Sequence, residues 1–294
     1  MHGTGVPLVT PFADGAVDHD ALATLVEWVE RAGVDFVVPC GSTGEAPLLS
    51  DAERAAVVET VADAANGPVL AGTGREGFEP TLETTRAAAG AGADAALVVT
   101  PAYYDPDQAT LTAYYRELAD ESPLPIYLYS VPKFTDVTLS PRTVGALATH
   151  ENVHGIKDSS GDLGSLQGIV GRTHDAEFDV LVGDGSTYAP GLDAGADGGV
   201  LALANAVPGL ASEIFRRHRG GDPASARALN AALVELNRTM VGRYGVAGVK
   251  AALDYRDQPA GTPRRPLRPL NEDERREIRE RLTSALETDE SADS

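Results

Sequence analysis

Lysine is scarce in this chain, and one lysine stands where chemistry can use it. Only Lys133, Lys157 and Lys250 occur among 24 basic residues; the rest are arginines, which stay protonated and cannot attack a carbonyl. Lys157 closes the apolar run Val153-His154-Gly155-Ile156-Lys157 and is followed at once by Asp158-Ser159-Ser160-Gly161. If the run is a parallel strand, the amine sits at its carboxyl end and faces whatever cavity the strands enclose. An amine in apolar surroundings loses solvation of its charged form. Its pKa then falls from about 10.4 toward neutrality, and a drop of ~3 units corresponds to roughly 4 kcal/mol of differential interaction. The free amine can form a Schiff base with a ketone or aldehyde. The competing reading is an ordinary strand-end lysine whose tip is solvated.

Two further groups have the right types for a partner role. In Gly41-Ser42-Thr43-Gly44 two glycines flank two hydroxyls. Such a loop can turn backbone N–H groups and hydroxyls toward an anion, and a substrate carboxylate is the natural guest. A plain glycine turn feeding the next helix is the alternative. Tyr129 ends a second apolar run, so its phenol should open at the same mouth as Lys157. A tyrosine is an inefficient base near neutral pH unless hydrogen-bonded into a relay, and Ser42 and Tyr104 are the hydroxyls most able to complete one. Tyr103, Tyr104 and Tyr129 could equally be packing residues with satisfied hydroxyls.

The elements that must carry these groups follow from the hydropathy pattern. Apolar runs at 5–9, 34–38, 68–71, 95–99, 125–129, 153–157, 180–182 and 199–203 alternate with amphipathic stretches. Leu22, Leu25, Val26 and Val29 show the i, i+3, i+4, i+7 spacing of a helix, with Asp18 as start signal and Gly33 as stop. Most of the runs are continuously apolar, as expected of strands covered on both faces. The count is that of a (β/α)₈ TIM barrel over residues 1–220. Residues 221–286 read as a C-terminal helical extension packed on the barrel, and the polar, acidic stretch 287–294 as a disordered tail. A doubly wound sheet is the runner-up, because Gly72-Thr73-Gly74-Arg75-Glu76-Gly77 matches G-x-G-x-x-G. That match lies on the third strand of the series, and the next helix opens three residues late.

Composition excludes several functions. The formal charge is 24 − 44 = −20, so no nucleic acid and no anionic membrane is an expected partner. An acidic, lysine-poor, alanine-rich chain suits concentrated salt, which screens self-repulsion within a few ångströms. One cysteine, Cys40, precludes an internal disulfide, and six scattered histidines lack metal-pair spacing, so neither metal nor cofactor is expected. There is no 18-residue apolar run and no signal-peptide pattern, which reads as a soluble, cytoplasmic protein.

Taken together, these motifs resemble those of the dihydrodipicolinate synthase / N-acetylneuraminate lyase family. The resemblance rests on Gly41-Ser42-Thr43-Gly44-Glu45, Tyr129-x-Val131-Pro132 and Gly155-Ile156-Lys157-Asp158-Ser159-Ser160. Gly5-Val6-Pro7-x-x-Thr10-Pro11-Phe12, and Gly183-Asp184 followed by Gly198-Gly199-Val200 and Asn205, agree with it. It runs from about residue 3 to 255. It implies a class I mechanism in which Lys157 forms an imine with pyruvate or a related 2-keto acid. The carboxylate would rest on Ser42 and Thr43, with Gly183 and Val200 lining the pocket. Tyr129 would shuttle a proton through Ser42 to Tyr104. In this family the tyrosine equivalent to Tyr104 comes from a neighbouring subunit, which implies a homotetramer of tight dimers.

The second substrate is read from one departure. Dihydrodipicolinate synthases carry an arginine five residues after the tyrosine, to hold a dicarboxylate; here the position is Phe134, preceded by Lys133. This favours a likeness to 2-keto-3-deoxygluconate or 2-keto-3-deoxy-6-phosphogluconate aldolase, yielding pyruvate and glyceraldehyde or its phosphate. Lys133 and Arg75 are candidates to meet a phosphate, and Asp184 would repel one. The alternatives are a dihydrodipicolinate synthase, another pyruvate-dependent lyase of the family, and a sugar-binding barrel without catalysis.

Overall fold

Local signals start the helices where the chain needs them. The Asp18 carboxylate accepts from Ala21 N at 3.0 Å, capping α1 (His19–Arg31), which buries Leu22, Leu25, Val26 and Val29 on one face. Ser50 and Glu53 form a reciprocal capping box at the start of α2 (Asp51–Ala64), satisfying N–H groups that a helix start leaves unpaired. The computed structural model describes residues 1–292, with side chains described through Glu287.

Eight parallel strands alternate with helices: β1 (Gly3–Pro7), β2 (Phe36–Val38), β3 (Leu70–Gly72), β4 (Ala95–Val99), β5 (Ile126–Ser130), β6 (Val153–Asp158), β7 (Asp179–Val182) and β8 (Gly198–Val200). Their hydrogen-bonded order is β2-β1-β8-β7-β6-β5-β4-β3. A parallel bridge between Val37 and Val69 joins the ends, so the sheet closes into the expected barrel. Around it lie α1, α2, α3 (Phe78–Gly90), α4 (Gln108–Glu121), α5 (Pro141–Leu147), α6 (Leu163–Thr173), α7 (Tyr188–Asp193) and α8 (Pro208–Arg219). Inside the ring, Phe36, Val38, Leu70, Leu97, Leu181 and Val200 form an apolar plug beneath the carboxyl-end mouth. Between strands and helices a larger apolar layer holds the barrel together.

The G-x-G-x-x-G match has a packing explanation. A Cβ on Gly72 would lie 2.1 Å from the Cys40 carbonyl oxygen, and one on Gly74 would lie 2.6 Å from Val99 N. These glycines let β3 close against its neighbours, so the dinucleotide reading has no support here.

The extension comprises α9 (Pro223–Asn237), a π-helical turn (Arg238–Arg243), α10 (Gly245–Tyr255) and α11 (Glu272–Ala292). α9 packs along α8, and α11 covers α9 and α10. Helix α11 continues into the segment expected to be a disordered tail; its last residues, 293–294, lie outside the described residues. Among the described residues no helix is long and apolar enough to cross a membrane.

Candidate active site

Strand register brings the two principal groups side by side. In the β5–β6 ladder Tyr129 is the direct partner of Lys157, and Lys157 in turn pairs with Leu181 of β7. Residues opposite each other in a ladder point to the same face, and this face is the barrel interior. Both side chains are about as buried as the core, Lys157 at 5% exposure and Tyr129 at 5%. The Lys157 Nζ lies 4.4 Å from the centroid of the Tyr129 ring. An amine turned inward on apolar strands, against the negative face of a phenol ring, is not a solvated strand-end lysine.

The cavity above this pair has a volume of about 210 Å³, and Ser42, Thr43, Tyr129, Lys157, Gly183 and Val200 all line it. The Ser42 Oγ stands 3.5 Å from the Tyr129 hydroxyl, the long limit of a hydrogen bond. Gly183 N donates to the Asp158 carbonyl at 2.7 Å. A Cβ on Gly183 would sit 1.9 Å from Ser159 Oγ, so only glycine lets this turn approach the lysine strand. Burial pushes the Asp158 carboxyl above its ordinary range, against the N–H and hydroxyl of Ser160, which hold it down. Cys40, at the start of the hydroxyl loop, is buried, and that burial pushes its thiol up to about 12, so it is an inert packing group.

Lys133 and Phe134 also border the cavity. The Lys133 Nζ donates to the Gly242 carbonyl at 3.1 Å, and Phe134 is 66% exposed. Arg75 does not reach this mouth. It pairs with Asp51 in a separate cleft between α2 and α3, which removes it as a cation for this site. Asp184 is at the rim, but its Oδ1 accepts from Ser186 N at 2.9 Å and Asn237 Nδ2 at 3.0 Å. Tyr104 stands apart from the other two relay residues, Tyr129 and Ser42: it is 87% exposed and packs edge-on against Tyr103, with ring centroids 5.0 Å apart.

The helical extension, in which no site residue is expected from the sequence, supplies one wall of the cavity. Asn237, Arg238, Val241, Gly242, Val246 and Val249 border the cavity. Three of these, Arg238, Val241 and Gly242, belong to the π-helical turn, a geometry common at functional sites. The one available signal was Gly242 and Gly245 within an otherwise helical stretch. Among the described residues no cluster of three or more His, Cys, Asp or Glu is placed to hold a metal.

The profile of a family described as the dihydrodipicolinate synthetase family matches residues 1–285. A 4-hydroxy-tetrahydrodipicolinate synthase of Methanothrix thermoacetophila is 39% identical over 284 residues, covering 96% of this chain and 96% of the relative. An uncharacterized DapA-like lyase of Halobacterium salinarum is 40% identical over 280 residues, covering 94% of this chain and 91% of the relative. Among solved structures, the dihydrodipicolinate synthase of Thermotoga maritima superposes with a TM-score of 0.94 at 30% identity, covering 97% of this chain and 98% of that one. The Acinetobacter baumannii enzyme complexed with pyruvate gives 0.92 at 36% identity, covering 97% and 98%. By name, the synthases among these relatives match the reading given above as the alternative for the second substrate.

Proposed function

The chain belongs to the dihydrodipicolinate synthetase family, a class I pyruvate-dependent lyase family, and from that premise we propose that it makes or breaks the C3–C4 bond of a 4-hydroxy-2-keto acid. The observation that carries this is the buried Lys157 amine set against the Tyr129 ring beneath the Ser42–Thr43 loop. The amine adds to C2 of pyruvate and water leaves, giving an iminium. That cation acidifies C3; loss of a C3 proton gives an enamine, which attacks an aldehyde carbon while the aldehyde oxygen takes a proton. Tyr129 moves these protons, with Ser42, whose Oγ is 3.5 Å from its hydroxyl, next in the relay. Hydrolysis of the imine restores the lysine, and the reverse sequence cleaves the bond. The pyruvate carboxylate lies on Ser42 and Thr43, with Gly183 and Val200 shaping the floor.

For the acceptor, the relatives' names support condensation of pyruvate with aspartate semialdehyde, the 4-hydroxy-tetrahydrodipicolinate synthase reaction. In this chain Lys133 and Arg238 at the rim, and not residue 134, would meet the second carboxylate. A second reading is favoured by Phe134, whose ring cannot hold a carboxylate: cleavage of 2-keto-3-deoxygluconate or its 6-phosphate. The exposed Tyr104 fits a site finished by a second copy of the chain, within a homotetramer of tight dimers.

Borohydride reduction in the presence of pyruvate, followed by mass mapping, tests the chemistry. A reduced adduct on Lys157, lost in Lys157→Ala together with turnover, is the expected result. Absence of the adduct from the unmodified protein leaves a binding barrel. Condensation and cleavage assays run side by side on both acceptor classes decide between the two readings.

A further inference from the structure

A second buried lysine, unused by the chemistry, is joined to the hydroxyl loop. Lys250 lies on α10, the helix whose Val246 and Val249 border the cavity. Its Nζ meets Glu45 Oε1 at 2.8 Å, the Thr10 carbonyl at 2.8 Å and the Thr262 carbonyl at 3.1 Å. Two of the ammonium's three donors bond the two carbonyls, and the carboxylate contact is an ion pair without hydrogen-bond geometry. The other carboxylate oxygen of Glu45 accepts from Arg264 N at 2.7 Å. Lys250 and Glu45 are 1% and 2% exposed. The Phe12 ring is within reach of both the ammonium, 4.5 Å from its centroid, and the Arg264 guanidinium, 4.2 Å away.

Glu45 is the last residue of Gly41-Ser42-Thr43-Gly44-Glu45, and its φ is +59°, while Cys40 before the loop has φ +56°. Left-handed backbone costs a residue with a Cβ roughly 1–2 kcal/mol. The loop that would hold the substrate carboxylate is thus bracketed by two unfavourable conformations, which persist only where surrounding structure fixes them. Two contacts do so at its exit: the buried ion pair, and the Thr10 hydroxyl donating to the Gly44 carbonyl at 2.7 Å. Burying an ion pair adds little net stability over apolar packing, so its presence calls for another role.

We infer that the Glu45–Lys250 pair is a positioning device, through which the C-terminal extension holds the Ser42–Thr43 loop in the shape that captures pyruvate. This rests on the reading of that loop as the carboxylate cradle and names the two residues that keep it formed. Neither touches the substrate; both act through the loop.

The test uses the full chain and titrates pyruvate in borohydride trapping, with steady-state turnover alongside, for Glu45→Gln, Lys250→Met and the two combined. In the single variants the pyruvate concentration for half-maximal trapping rises about tenfold or more, and turnover at saturating pyruvate falls by less. The combined variant, with no unpaired buried charge, shows a shift smaller than the product of the single shifts. A folded variant with a lower melting temperature and wild-type half-saturation overturns the inference, because a merely structural pair would do only that. If the charge variants fail to fold, Thr10→Val, which removes one hydroxyl from the same loop exit, must raise the half-saturation; no change there overturns the inference equally. Failure of the wild-type protein to form any adduct sinks the Lys157 reading, and this inference with it. An adduct whose half-saturation no variant moves sinks this inference alone.

Discussion

Tyr129 and Lys157 divide the work between them, and the division can be measured. Removing the phenol leaves the amine and the carboxylate loop in place. Tyr129→Phe should therefore still trap pyruvate on Lys157 while carbon–carbon turnover falls about 100-fold or more, the range of a lost general acid–base group; full turnover would refute the relay. Phe134 is the residue on which acceptor choice turns. Phe134→Arg would place a guanidinium at the exposed rim. It should lower KM for aspartate semialdehyde by about tenfold, one charged hydrogen bond's worth, and leave an unphosphorylated keto-deoxy acid, uncharged beyond C1, nearly unaffected. Equal change on both acceptors would show that the rim does not read charge. Lys157, Tyr129, Ser42 and Thr43 were legible in the sequence because each ends or follows an apolar run, and strand ends share one mouth in a barrel. Arg238 was not. It lies on a helix remote in sequence, and nothing in its neighbours marks which side of that helix meets the cavity.

Helices and linkers are where the sequence reading was most complete and also where it stopped short. Periodicity and the Asp18 start signal located α1, because its buried stripe and its cap agree. The π-helical turn after Asn237 carries no side-chain cap that would announce it. The linker between α10 and α11 is strapped down. Arg264 makes a bidentate pair with Glu53, at 2.7 and 3.0 Å, and donates to the Leu48 and Gly15 carbonyls. The Arg264 hydrogen bonds, chiefly, hold the Glu53 carboxyl down at about 2, below its ordinary range near 4.5. A carboxylate with a depressed folded-state pKa stabilises above its unfolded value, and that contribution is lost as pH falls through the folded value. Glu53→Gln should thus lower the melting temperature at pH 7, and the gap from wild type should shrink between pH 4.5 and 2. A gap that stays constant over that window would exclude the clamp as its cause.

For the molecule as a whole, charge dominates. A net charge of −20 on 294 residues repels itself, and screening shortens from about 10 Å at 0.1 M salt to about 3 Å at 1 M. The melting temperature should therefore rise between these two salt concentrations, and a flat profile would show that repulsion is not limiting. The barrel was legible because eight buried runs leave few other ways to cover both faces of each strand. How the ring closes was not, since a single bridged pair has no hydropathy pattern. That joint has a consequence of its own. Val37 and Val69 are bridged, and two backbone bonds flank them: Val37 N to the Pro68 carbonyl at 3.1 Å, and Gly72 N to the Pro39 carbonyl at 2.9 Å. Elsewhere adjoining strands share a longer ladder. The thinnest stave of the cask thus stands directly below Cys40 and the loop it begins, so breathing of the ring and the grip on a keto acid share a hinge. Amide hydrogens of residues 37 and 72 are where solvent deuterium should enter this ring of strands first.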